Sequence, residues 1–217
     1  MKRLVLLMAT GFALSTQAHF IFLELPPEAP ATAHMRFSEE PLEETDAELQ
    51  EKSAPMAVTL SDGAPIAFSP GEKARIATVP EDAPLLKGSL NYGLMNRGGE
   101  YLLVYHAKAV RSVESAGKAA DLPVEVLAQV KDGTLLVTVL ANGKPAEGAE
   151  LVVNLPTVKK QAKATTNAEG QASFPIVPGG WVGVRAKVQE SKEGTFGDKP
   201  YKEVRSYSTL TFPYLSE

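Results

Sequence analysis

The chain of 217 residues contains no cysteine. Disulfides, thiolate metal sites and a cysteine nucleophile are therefore excluded, and the fold must be held by packing alone. Lipid attachment to a cysteine behind a leader is excluded for the same reason. Histidine is scarce, with His19, His34 and His106 the three in the sequence. No basic stripe is present, and a net charge of −4 gives no electrostatic footprint for nucleic acid, so no nucleic-acid partner is expected. Catalytic signatures are missing as well. There is no Gly-rich phosphate loop, no HExxH helix and no G-x-S-x-G elbow, and the expectation is a protein that is not an enzyme. No apolar run approaches the roughly 20 residues of a bilayer-spanning helix, so no transmembrane anchor is expected in the mature chain.

What the sequence does have begins at its start. Lys2 and Arg3 are followed by the short apolar run Leu4 to Leu14, then by small residues Thr16 and Ala18. That order is the order of a cleavable signal peptide, here residues 1–18. Export to the periplasm or the cell exterior is the expectation. Cleavage after Ala18 leaves His19 as the first residue. Its free α-amine, which titrates near ~8, and its imidazole can then chelate one metal ion together. Nitrogen donors of this kind favour Cu(II) or Ni(II) over alkaline earths. The competing reading is a histidine that merely follows the cut. His34 alternates with Arg36 and Ser38, which reads as a polar face, and pairing of the first two strands would bring it toward His19. His106 alternates with Leu102 and Val104 and reads as a histidine at the end of a core face. His19, His34 and His106 are together the candidate metal ligands. A complete site takes three or four ligands, and Glu24 and Glu39 are the nearest carboxylates in sequence.

The rest of the chain reads as short β-rich runs punctuated by Gly, Pro, Asn and Asp, the pattern of a sandwich. Runs are expected at 19–25, 33–38, 57–60, 65–69, 74–79, 86–94 and 101–110. The acidic segment 39–52 reads as a solvated loop or one short helix. Residues 111–121 are small and polar and read as a linker. Beyond them, 124–130, 134–140, 149–155, 172–177, 181–189 and 203–213 read as strands, with Asp132-Gly133 a strong hairpin signal and 190–202 a polar loop. Val182, Val184, Ala186 and Val188 should face the core. Trp181 reads as a core anchor or, alternatively, as a sugar-stacking platform. The expectation is an all-β protein of two β-sandwich domains, 19–110 and 122–217.

Two resemblances add to this reading. The segment Asn142-Gly143-Lys144-Pro145-Ala146-Glu147-Gly148-Ala149, with Thr165-Thr166-Asn167-Ala168-Glu169-Gly170, resembles the transthyretin-like or carboxypeptidase-regulatory-like sandwich. The resemblance implies an immunoglobulin-like or transthyretin-like fold for the C-terminal half and a supporting role more than a chemistry. The second joins Ala18-His19-Phe20-Ile21-Phe22-Leu23, Tyr92-Gly93-Leu94-Met95, Arg97-Gly98, Tyr101-Leu102-Leu103 and Gly197-Asp198-Lys199-Pro200-Tyr201. This layout is similar to a bacterial family of exported domains of unknown function associated with nickel uptake and substrate-specific transport components. It implies a His directly behind the cleavage site and a metal link. Members of that family often carry further histidines where this chain has Lys187, Val188 and Ser206.

Two functions are therefore expected of this chain. In one it is an exported, non-enzymatic protein that binds or delivers Cu or Ni through His19. In the other it is a periplasmic or extracellular structural or interaction module for a protein partner in the envelope, without metal.

Overall fold

β-branched and aromatic residues recur through nearly the whole chain in runs too short for long helices, and strands dominate accordingly. The computed structural model describes residues 19–96 and 100–216. The expected leader, and residues 97–99 of the expected turn after β-rich segment 86–94, lie outside the described residues. In chain order the elements are β1 (Phe20–Glu24), β2 (Thr32–Ser38), α1 (Ala47–Ser53), β3 (Ala57–Leu60), β4 (Pro65–Ile66), β5 (Ser69–Pro70), β6 (Arg75–Thr78), β7 (Leu85–Met95) and β8 (Tyr101–Val110). There follow α2 (Val113–Ala116), β9 (Val124–Lys131), β10 (Thr134–Ala141), β11 (Lys144–Pro145), β12 (Glu150–Leu155), β13 (Val158–Thr165), β14 (Gln171–Pro175), β15 (Gly180–Phe196) and β16 (Lys199–Tyr214). The protein is all-β.

Among the described residues the strands form three sheets. The longest has the order β13-β12-β15-β16-β8-β7-β3-β4. Its central joint is a parallel pairing of β16 with β8, from Val204 opposite Leu102 to Thr211 opposite Ala109. Strands from the two halves of the chain thus share one sheet. The other sheets, β1-β2-β6-β5 and β9-β10-β14 with β11, pack on its opposite faces. Side-chain alternation shows this directly. Tyr101, Leu103, Tyr105, Ala107 and Ala109 of β8 join one core with Phe20, Phe22 and Met35. Between them, Lys108 points the other way and meets Glu125 of β9. On β16 the hydroxyls of Thr209 and Thr211 donate to the carbonyls of Ile21 and Leu23 in β1. Leu210 and Phe212 enter the second core, with Val126, Leu135, Val182, Val184 and Ala186.

The Asp132-Gly133 hairpin signal acts as expected, and Asn142-Gly143 turns in the same way. Asp132-Gly133 and Asn142-Gly143 both have positive φ at each residue (50° and 69°; 51° and 74°), which the twist of a two-residue hairpin requires. Four segments bear on the expectation, three of them by departing from it and the acidic one by combining its two readings. Residues 190–202, expected as a polar loop, continue β15 and β16 as a two-stranded ribbon turning at Gly197 (φ 59°). β13, Val-Lys-Lys-Gln-Ala-Lys-Ala-Thr, was not expected as a strand; it is the edge of the long sheet, where lysines are the usual protection. The acidic segment is a clamped loop followed by α1, whose N-cap Asp46 accepts a hydrogen bond from the Leu49 amide at 2.9 Å. Pro41 of that loop lies where a Cβ on Gly183 would sit, so β15 needs glycine there. The 111–121 segment contains α2 and buries Ala116 and Ala120 against the second core.

Candidate functional site around His19

His19 immediately precedes β1, and two contacts fix it. Its carbonyl accepts a hydrogen bond from the Tyr105 hydroxyl at 3.1 Å. Its ring lies 5.7 Å from that of Phe37, centroid to centroid. It sits on a cavity of about 300 Å³ between β1, β2, β7, β8, β16 and α1. Aromatic rings make most of the wall. Tyr105 stands edge-on to Phe37 (5.6 Å, 80°) and to Tyr92 (5.4 Å, 88°), and stacks near Tyr207 (6.1 Å, 28°). Tyr207 in turn touches Phe20, whose far side is covered by the Arg185 guanidinium at 3.6 Å. Burial pushes the Tyr105 and Tyr207 phenols above their ordinary range, so both stay neutral at physiological pH. Met95 and Lys52 complete the donor-bearing residues of the wall.

A β-bulge in β7 arranges two of these residues. Asn91 pairs with Val104 and Gly93 with Leu103, leaving Tyr92 as the extra residue. The extra residue reverses the alternation beyond it. Leu90 and Tyr92 face the core beneath the cavity, and so, three positions on, does Met95. Leu94, which unbroken alternation would send there, packs instead with Leu102, Val104 and Val204 on the opposite face.

The other two histidines are elsewhere. β1 and β2 do pair, but the register sets His34 opposite Glu24 and Phe20 opposite Ser38. His34 is therefore at the far end of the pair from His19, about five residues or ~17 Å along the strand. Its Nδ1 lies 3.6 Å from the Glu24 carboxylate. The face it shares is not the polar exterior expected, for Arg36 and Ser38 are buried. Glu24, fully buried, takes two hydrogen bonds from Arg36 Nε (2.9 and 3.1 Å) and one from the Leu42 amide at 2.7 Å. Arg36 also donates to the carbonyls of Glu43 and Lys73. That network ties down the acidic loop and consumes the carboxylate. His106 is buried on the opposite face of β8 from Tyr105, with Nδ1 2.8 Å from Ser89 Oγ. Burial lowers its pKa to about 4, so the imidazole is neutral at physiological pH. The sheet separates it from His19. Among the described residues no three or more His, Cys, Asp or Glu side chains gather into a group that could hold a metal ion.

Trp181 is half-buried and belongs to neither large core. The residues missed from sequence are Met95, Tyr92, Tyr105, Tyr207 and Phe37. The available signal was Tyr101-Leu103-Tyr105, a period-two aromatic face on one strand; the bulge that aims Tyr92 and Met95 has only Gly93 to announce it.

No family model matches the chain, and no curated protein matches it. A solved structure of a cytokine receptor complex, in its crystal form 1A, aligns at 11% identity over 87% of this chain and 93% of its own, with a TM-score of 0.28. A superposition that loose carries no functional argument.

Proposed function

We propose that this protein is exported, is processed behind Ala18, and acts without catalysis as a binder of Cu(II) or Ni(II) through the imidazole and α-amine of His19. One observation carries the reading: His19 is held at its carbonyl by Tyr105 and at its ring by Phe37, on the wall of a cavity of about 300 Å³. A processed chain would present both nitrogens at that one spot. The donor chemistry fits a late first-row metal, since imidazole and amine nitrogens suit copper and nickel. The likeness to exported domains linked to nickel uptake agrees. His34 and His106 take no part, the first being paired with Glu24 and the second lying across the sheet. The test is a titration of processed protein with Cu(II) and Ni(II) against a competing chelator. One tightly bound equivalent, lost in His19→Ala, is the expected result. Binding no tighter than that of a short peptide with the same first residues would overturn it.

A second reading has its own observation. Residues 191–196 and 199–203 pair with each other alone among the described residues, and Phe196 at the turn is exposed. Such a ribbon suits an envelope protein partner that covers the aromatic tip. Under this reading Phe196→Ser abolishes partner capture and His19→Ala does not.

A further inference from the structure

The wall of the His19 cavity discriminates among metals. Among the described residues that line it none is Asp or Glu, and the one charged side chain is Lys52, a cation already paired with Glu48 at 2.7 Å. The remainder is aromatic and aliphatic carbon, phenol, imidazole and the Met95 thioether. Bringing an ion into such surroundings carries a Born cost that rises with the square of its charge, so a dication costs about four times as much as a monocation of equal size. Without a carboxylate to offset that cost, the cavity favours a monovalent ion. Thioether sulfur is a soft donor, and soft donors select Cu(I). The β7 bulge brings sulfur rather than a leucine to the cavity, because without it Leu94 would hold the inward position.

We propose that the ion this cavity selects is copper in its cuprous state, held between His19 and the Met95 thioether, in preference to nickel. The inference rests on the metal-binding reading of His19 and names the metal and a second protein ligand for it. The aromatic rings around the two half-buried donors give them an apolar surround, which favours the less strongly hydrated ion. A leucine of nearly equal volume would fill the space of Met95.

The test uses processed full-length protein, titrated anaerobically with Cu(I) against bicinchoninate and, separately, with Cu(II) and Ni(II) against a competing chelator. Wild type should bind Cu(I) at least about a hundredfold more tightly than Ni(II). Met95→Leu should lose at least about tenfold in Cu(I) affinity while its Cu(II) affinity stays within about twofold of wild type. X-ray absorption of the Cu(I) form should show a sulfur scatterer that Met95→Leu lacks. Unchanged far-UV circular dichroism of the variant ties the loss to the sulfur rather than to folding. Wild-type Cu(I) affinity in Met95→Leu, or a copper shell without sulfur, overturns the inference. If that occurs while His19→Ala still abolishes binding, the thioether's role fails and the His19 reading stands. If His19→Ala binds like wild type, the metal reading itself falls.

Discussion

A buried histidine that cannot be protonated makes a protein acid-sensitive. His106 has a folded-state pKa of about 4, depressed by burial below the ordinary value of 6.5. Above pH 6.5 both folded and unfolded states are neutral, and His106 has no effect on the pH dependence. Between 6.5 and about 4 the unfolded chain takes up a proton that the folded chain refuses, so stability falls as pH falls, and levels off with respect to this group below about 4. Between pH 7 and pH 5 the loss is on the order of 2 kcal/mol. Denaturant unfolding at the two pH values measures it, and His106→Gln should remove most of the difference. A slope unchanged in the variant would assign the acid sensitivity to other groups. The residue scale also shows how far composition and alternation reach. His106 was legible as a satisfied histidine because its neighbours on β8 are apolar. Arg36 and Ser38 were not legible as buried, nor His34 as half-buried, because their environment depends on a cross-strand partner, Glu24, and on Leu42 and Lys73 closing over it. Only the register supplies those.

Among the elements, β7 carries the largest consequence from the smallest irregularity. Gly93 follows the bulge residue with φ 141°, in a region L side chains rarely adopt, though nothing crowds its Cβ position. Gly93→Ala should therefore cost about 1–3 kcal/mol through backbone strain alone. Relief of that strain by regularising the bulge would exchange Leu94 for Met95 at the cavity. The expected outcome is lower stability by chemical denaturation together with weaker Cu(I) binding; a variant that loses neither would show that the bulge is not what aims Met95. Bulges leave little trace in a sequence beyond such a glycine. The Asp-Gly and Asn-Gly hairpins, in contrast, were legible because the turn demands particular residues. β13 was hidden by its lysines and the 190–202 ribbon by its polarity. Strand in those places is imposed by a neighbouring ladder, and local pattern does not report a neighbour.

For the molecule as a whole, the decisive contact is the parallel pairing of β16 with β8, which no local signal encodes. It makes one sheet serve two cores, and at its centre lies a buried ion pair. Lys108 Nζ stands 2.6 Å from Glu125 and also donates to the Lys118 carbonyl, while Glu125 accepts from the Ala120 amide. Burial lowers the Lys108 pKa and Glu125 opposes that shift. The pair thus joins β8, β9 and the 111–121 segment. Lys108→Met alone should destabilise the protein by about 3–5 kcal/mol, since it strands a buried carboxylate, and adding Glu125→Leu should recover more than half of that loss. Thermal unfolding of the single and double variants decides it; a double variant no better than the single would mean that Glu125 matters chiefly through Ala120. The same layering positions the His19 cavity, whose wall draws on β1 and β2 from one sheet and on β7, β8 and β16 from the shared one.

The most direct measurement on the central claim compares two otherwise identical proteins, one beginning at His19 and one carrying a single extra residue before it. Both are titrated with copper and nickel while the fluorescence of the surrounding tyrosines is followed. The account predicts one tightly bound equivalent with quenching for the first protein, and a loss of at least about tenfold in Cu(II) affinity for the second, whose α-amine is displaced from the cavity. Equal affinity in the two proteins would contradict it.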